Sequence, residues 1–178
     1  MGGGDIFIIG YMGAGKSTGG RRLAKVMGLP FLDLDAEVVA ASGQSIPELF
    51  ASLGEGGFRA LERDRLRALA GGGAKVISTG GGTPCYGDNL DFMLESGTVV
   101  HFDLSLEALV QRLGKNRKER PMLASVPMEQ LPEAVARQLE ERRPFYTRAH
   151  ITVDVEMLDG QRLGSVQRMI EARQQFNP

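Results

Sequence analysis

Short unbroken runs of apolar residues alternate along the chain with stretches whose apolar positions recur every three or four residues. The first run, Asp5-Ile6-Phe7-Ile8-Ile9, predicts a strand buried on both faces. Pro30-Phe31-Leu32-Asp33-Leu34, residues 74–78, residues 98–102 and residues 151–155 predict four more. Between the first two lies a helix over 16–28, with Leu23, Val26 and Met27 on one side and Gly28 as its stop. Residues 36–42 and 46–53 read as short helices, the second with Ser45 as cap and Pro47 in its first turn. A charged helix follows over 57–70, with Leu61, Leu66 and Leu69 on one stripe and Arg63, Asp64, Arg65 and Arg67 largely outside. Helices over 105–113, 129–143 and 160–175 complete the pattern, and 114–127 is irregular and basic. Strands and helices in this alternation predict an α/β fold, a three-layer α/β/α domain around a five-stranded parallel sheet. In such sheets ligands bind beyond the carboxyl ends of the strands, so the residues just after each strand carry the functional information.

Composition narrows the classes. With 178 residues and roughly 150 residues per domain, a single domain over 1–178 is expected. No apolar run approaches the roughly 18 residues a membrane span needs, and no membrane partner is expected. Lys and Arg together number 21 against 22 Asp and Glu, so no global field invites nucleic acid, and none is expected as a partner. The start of the chain, through Asp5, lacks the basic region of a secretory signal, and Ile6 breaks the myristoylation pattern. Cys85 is the one cysteine, consistent with a reducing, cytoplasmic setting, and a monomer is expected. Glycine is in excess at 24 residues with no period, which marks places where backbone turns tightly or approaches something closely.

The first such place follows the first strand. Gly10-Tyr11-Met12-Gly13-Ala14-Gly15-Lys16-Ser17-Thr18 fits G-x-x-x-x-G-K-[ST]. The glycines let successive backbone N–H groups surround phosphate oxygens, and the helix beginning at Lys16 adds the positive end of its dipole. Gly13, Ala14, Gly15, Lys16, Ser17 and Thr18 are therefore expected to bind ATP, with Lys16 on the β/γ-phosphates and the Ser17 hydroxyl on Mg2+. The D-x-x-G and N-K-x-D signatures of a GTPase switch do not occur, and a P-loop chain of this size suits phosphoryl transfer to a small molecule.

Later strand ends supply an ordered set of motifs: Asp33-Leu34-Asp35, Gly54-Glu55-Gly56-Gly57-Phe58-Arg59 with Glu62 one turn on, Thr79-Gly80-Gly81-Gly82, Arg120-Pro121-Met122-Leu123, and Arg142-Arg143-Pro144-Phe145-Tyr146. This set, spread over residues 10–146, resembles shikimate kinase of the nucleoside-monophosphate-kinase-like fold. Met122 stands where that family more often has Leu. The resemblance implies phosphorylation of the 3-hydroxyl of shikimate by MgATP, in the pathway to chorismate and the aromatic amino acids. It assigns Arg59 and Arg142 to the acceptor carboxylate, which bidentate arginines suit. It assigns Asp35 to the acceptor hydroxyls as base, Gly81 to a backbone contact with the acceptor, and Asp33 to Mg2+ through water. Lys16, Asp35 and Arg120 become the catalytic set, with Arg120 reaching ATP phosphates from a mobile lid over about 112–127. The acceptor-binding region falls at about 33–62, and Glu62 orients an arginine.

Taken singly, each residue has a plainer reading. Asp33 and Asp35 suit helix caps, Arg59 and Arg142 suit solvated faces, and the triple glycine suits a turn. Asp103, after the fourth strand, is a rival metal carboxylate, His101 reads as a packed strand residue, and Cys85 lacks a visible activating partner. A gluconate-kinase-like activity is the alternative function within the same fold, and a nucleotide-dependent binding or regulatory module is the alternative of another class.

Overall fold

The structure, a computed structural model, describes residues 4–115 and 126–176. Its elements in chain order are β1 (Asp5–Ile9), α1 (Lys16–Met27), β2 (Phe31–Asp33), α2 (Leu34–Ser42), α3 (Ile46–Leu69), β3 (Val76–Ser78), α4 (Asn89–Ser96), β4 (Gly97–Asp103), α5 (Leu106–Lys115), α6 (Leu131–Tyr146), β5 (Ile151–Asp154) and α7 (Gly160–Phe176). Single 3-10 turns occupy Thr83–Cys85 and Met128–Gln130.

All strand pairs are parallel, in the order β2-β3-β1-β4-β5. The central strand β1 has no exposed apolar side chain, because Ile6, Phe7, Ile8 and Ile9 are all fully buried. Each such side chain contributes about 1.5–3 kcal/mol, which makes β1 the rigid floor of whatever its C-terminal end carries. Crossovers between parallel strands place helices on both sheet faces. α1 packs on α7 and on the sheet, α4 packs on β4, and α5 packs on α6. None of the described helices is long and apolar enough to cross a membrane.

Two local features differ from the sequence expectation. Residues 46–69 form one helical element bent at a single residue, rather than two helices separated by a short loop. Gly54 makes the bend with φ 67° and ψ 179°, a combination open essentially to glycine. Its start is fixed as expected: the Ser45 backbone N–H and hydroxyl both donate to Glu48 Oε2, at 2.7 and 2.6 Å. The second difference is α4, which the sequence pattern did not reveal. Its eight residues bury only Asn89, Leu90 and Met93, too short a stripe to announce a period.

Candidate active site

The C-terminal ends of β1, β2 and β3 open onto a cleft of about 510 Å3, lined by Met12, Gly13, Lys16, Asp33, Asp35 and Gly81 among others. Its phosphate-sized end is the loop between β1 and α1. Gly13 and Gly15 take φ of 84° and 83°, the left-handed backbone that glycine adopts without strain. Ala14 is buried, and its N–H donates to the Tyr11 carbonyl at 3.2 Å. Gly15 caps α1 without any side-chain bond, and the first turn carries no acidic residue. The first N–H groups of α1 are thereby left for an anion. Lys16 is buried, and its Nζ donates to the Tyr11 carbonyl at 3.0 Å, which points the charge along the loop. Ser17 and Thr18 both line the cleft.

Asp33 serves two purposes at once. Its Oδ1 accepts from the Ala36 N–H at 3.3 Å and caps α2, while Oδ2 accepts from the Ser17 hydroxyl at 2.5 Å. The cap reading and the metal reading are thus compatible. A hydroxyl and a carboxylate meeting at the phosphate end form the small, hard-oxygen donor set that Mg2+ takes when phosphates and water complete its shell. Among the described residues there is no group of three or more His, Cys, Asp or Glu that would build a separate all-protein cage. Asp103 lies elsewhere, exposed at the end of β4 and lining a second cavity with His101. His101 is packed as expected, stacked on the Tyr146 ring at 5.1 Å, and burial holds its pKa below the usual value.

Asp35 stands in the first turn of α2 and lines the cleft. Its pKa is pushed up to about 6 by loss of hydration, then by the Glu62 and Asp33 charges, against the opposing pull of Lys16 and Arg59. The side chain still opens onto the cleft, so water moderates that shift.

The two arginines are the surprise relative to their residue type. Arg59 on α3 and Arg142 on α6 are only 7% and 9% exposed. Arg59 Nη1 donates to Glu62 Oε2 at 2.8 Å, and Glu62 is fully buried, so the orienting role expected of Glu62 matches its geometry. Arg142 lies over the Tyr11 ring, its carbon 5.2 Å from the centroid, and its Nη1 is buried with no hydrogen-bond partner. Both guanidinium groups press on the glycine loop. A Cβ at Gly82 would sit 2.3 Å from Arg59 Nη2, and one at Gly81 would sit 3.2 Å from Arg142 Nη1. The loop is held from beneath by the Tyr146 hydroxyl, which donates to the Gly81 carbonyl at 2.7 Å. Cys85 lies at the edge of this cluster; burial pushes its thiol up to about 11 in spite of Arg142 and Arg59, so it stays protonated.

Of the site residues expected from sequence, the structure brings together Gly13 to Thr18, Asp33, Asp35, Arg59, Gly81 and Arg142. Arg120, and residues 116–125 of the expected lid, lie outside the described residues. Arg112 and Lys115, which the expected lid included without giving either a role of its own, belong to the last turn of α5 and line the cleft. Arg112 Nη1 donates to the Gly13 carbonyl at 3.2 Å, tying α5 to the phosphate loop.

Comparison with known proteins agrees with this geometry. A family model described as shikimate kinase matches residues 12–171. A shikimate kinase from Parabacteroides distasonis is 44% identical over 153 residues, covering 86% of this chain and 88% of its own. The crystal structure of shikimate kinase from Bacteroides thetaiotaomicron superposes with a TM-score of 0.84 at 39% identity, covering 94% of this chain and 97% of its own. Shikimate kinase from Acinetobacter baumannii, solved in complex with shikimate, gives 0.85 at 34% identity, covering 96% and 94%. A gluconokinase from Sinorhizobium meliloti gives 0.56 at 21% identity over 96% of this chain and 91% of its own, a likeness of fold alone. With a family model spanning most of its length and relatives this similar over nearly their whole length, the chain belongs to the shikimate kinase family.

Proposed function

We propose that the cleft transfers the γ-phosphoryl group of ATP to the 3-hydroxyl of shikimate, giving shikimate 3-phosphate and ADP, with the residues above in the following roles. The observation that carries the assignment is Arg142 Nη1, a buried cationic donor with no hydrogen-bond partner, placed beside Gly81, which lines the same cleft as the phosphate loop and Asp35. An orphaned buried donor is costly, and an acceptor carboxylate satisfies it. Arg59, held by Glu62, supplies the second fork.

With the carboxylate anchored by the arginines, an acceptor hydroxyl is directed toward Asp35. Asp35 accepts its proton as the oxygen attacks the γ-phosphorus in line with the departing ADP. Lys16 and the α1 N-terminus neutralise charge on the phosphates, so catalysis is chiefly positioning and electrostatics. Ser17 and Asp33 would hold Mg2+, Asp33 through water. When bound, the ion would neutralise negative charge on the transferring phosphates. A monomer is expected, and the lone Cys85 is in keeping with the cytoplasm.

ADP release measured with ATP plus shikimate, gluconate or no acceptor tests the assignment. Turnover with shikimate alone is expected; equal or faster turnover with gluconate overturns it, as does ADP release that ignores the acceptor.

Two substitutions report on the carboxylate fork. The carboxylate keeps its charge throughout transfer, so Arg142→Ala is expected to raise the shikimate KM far more than it lowers kcat. A fall in kcat at unchanged KM would contradict that role. Gly82→Ala has an ordinary backbone, with φ −90°. Its Cβ nevertheless displaces Arg59, so it too is expected to raise the shikimate KM while the ATP KM stays put. Unaltered shikimate kinetics in Gly82→Ala would show that the seat of Arg59 on the loop is unimportant.

A further inference from the structure

The polar wiring of the acceptor site does not stop at Glu62. One carboxylate oxygen, Oε2, accepts from Arg59; the other, Oε1, accepts from the Thr83 hydroxyl at 2.6 Å. Thr83 and Glu62 are both fully buried. A threonine hydroxyl commonly bonds to backbone nearby, whereas this one reaches a carboxylate on another element, 21 residues earlier in the chain. Thr83 opens the 3-10 turn directly after Gly80-Gly81-Gly82, so its bond ties the glycine loop to α3. Thr83 is itself fixed: the fully buried Asn89 donates from Nδ2 to the Thr83 carbonyl at 3.0 Å and accepts at Oδ1 from Arg67 at 2.9 Å.

The charge around Glu62 gives this bond its consequence. Glu62 Oε1 and Asp35 Oδ1 flank Gly80, where a Cβ would lie 2.7 Å from the first and 3.3 Å from the second. With the Thr83 donor removed, Oε1 is a buried, unsatisfied anion facing a second carboxylate. Rotation of Glu62 away from Asp35 then withdraws Oε2 from Arg59.

We propose that the Thr83 hydroxyl is a positioning group for acceptor recognition, holding Glu62 so that Arg59 stays seated over Gly82. The proposal rests on the shikimate reading and deepens it: specificity for the acceptor carboxylate depends on a residue that touches neither substrate nor phosphate.

The test compares Thr83→Val, which keeps the shape without the hydroxyl, with Thr83→Ser, which keeps the hydroxyl without the methyl. Shikimate binding is read by titration calorimetry and both KM values by steady-state kinetics. Leaving a buried carboxylate oxygen unpaired is expected to raise the shikimate Kd and KM about tenfold in Thr83→Val, with the ATP KM within about twofold of wild type. Thr83→Ser is expected to stay within about threefold of wild type on every constant, because the donor is retained. If the methyl group is what matters, the order reverses, with Thr83→Ser impaired and Thr83→Val normal, and the proposal is overturned. Should Thr83→Val fail to fold, Thr83→Ala is compared with Thr83→Ser instead, and equal shikimate KM values in that pair overturn it. Wild-type protein that does not bind shikimate would overturn the parent reading; normal wild-type binding with indistinguishable Val and Ser variants overturns this inference alone.

Discussion

Lys16→Met is expected to abolish turnover while the protein stays folded. Methionine matches lysine in length and flexibility, so the buried stem keeps its packing and only the ammonium is lost. That ammonium is aimed along the phosphate loop by its bond to the Tyr11 carbonyl, beside the first backbone N–H groups of α1, whose cap Gly15 makes no side-chain bond. Among the described residues, the other cations lining the cleft are Arg112 and Lys115, and Arg112 is engaged with the Gly13 carbonyl. Loss of one preorganised donor to developing charge typically costs about 10²–10³ in rate, and a full positive charge at the transferring group places Lys16 at the upper end or beyond. Coupled ADP detection at saturating shikimate provides the measurement, with circular dichroism as the folding control. Activity above about a tenth of wild type would remove Lys16 from the phosphoryl-transfer step.

How much of this site was legible in the sequence depended on how local each interaction is. The phosphate loop was fully legible, because its strand, turn and helix are contiguous and every conformational demand falls on a residue within nine positions, Gly10 to Thr18. Asp33 was half legible: its place at the end of β2 gave the cap, the metal role was only what the resemblance implied, and the bond to Ser17 could not be read from the sequence. Arg59 and Arg142 were illegible as buried groups from their own surroundings, since arginine on a charged helix ordinarily faces water. Their burial is decided by partners remote in sequence, the glycine loop and Tyr11, and could be anticipated only through resemblance. Thr83 and Asn89 carried no signal at all, because one lies in a short turn and the other opens a helix too brief to show a period. The bend at Gly54 was visible as a gap between two helical patterns, but a single residue in an unusual conformation suffices where a loop was expected.

Asp35→Asn is expected to lower kcat by about 10²–10⁴, the usual span for a general base, with ATP affinity nearly intact. The same change should stabilise the unliganded enzyme, and the sign follows from proton linkage. The folded pKa of Asp35 is raised from 3.8 to about 6, so the folded state binds the proton more tightly than the unfolded chain does. Ionised Asp35 therefore costs stability above pH 6, and that cost disappears as pH falls through the folded value toward the unfolded one. Asparagine removes the charge while keeping the shape, so the variant gains at neutral pH and the gain shrinks between pH 6 and 4. The carboxylate opens onto the cleft, and after allowance for solvent screening the gain is about 1 kcal/mol, or a rise of roughly 2–4 °C in Tm for a domain of this size. Kinetics and calorimetry at pH 7.5 and 5 separate the roles. A large loss of kcat together with a higher Tm at pH 7.5 identifies a carboxylate held in an unfavourable site for the sake of proton transfer. If kcat barely changes while the shikimate KM rises, Asp35 only positions the hydroxyl. A variant less stable than wild type at pH 7.5 would mean that the carboxylate is instead a net stabilising partner of Lys16 and Arg59.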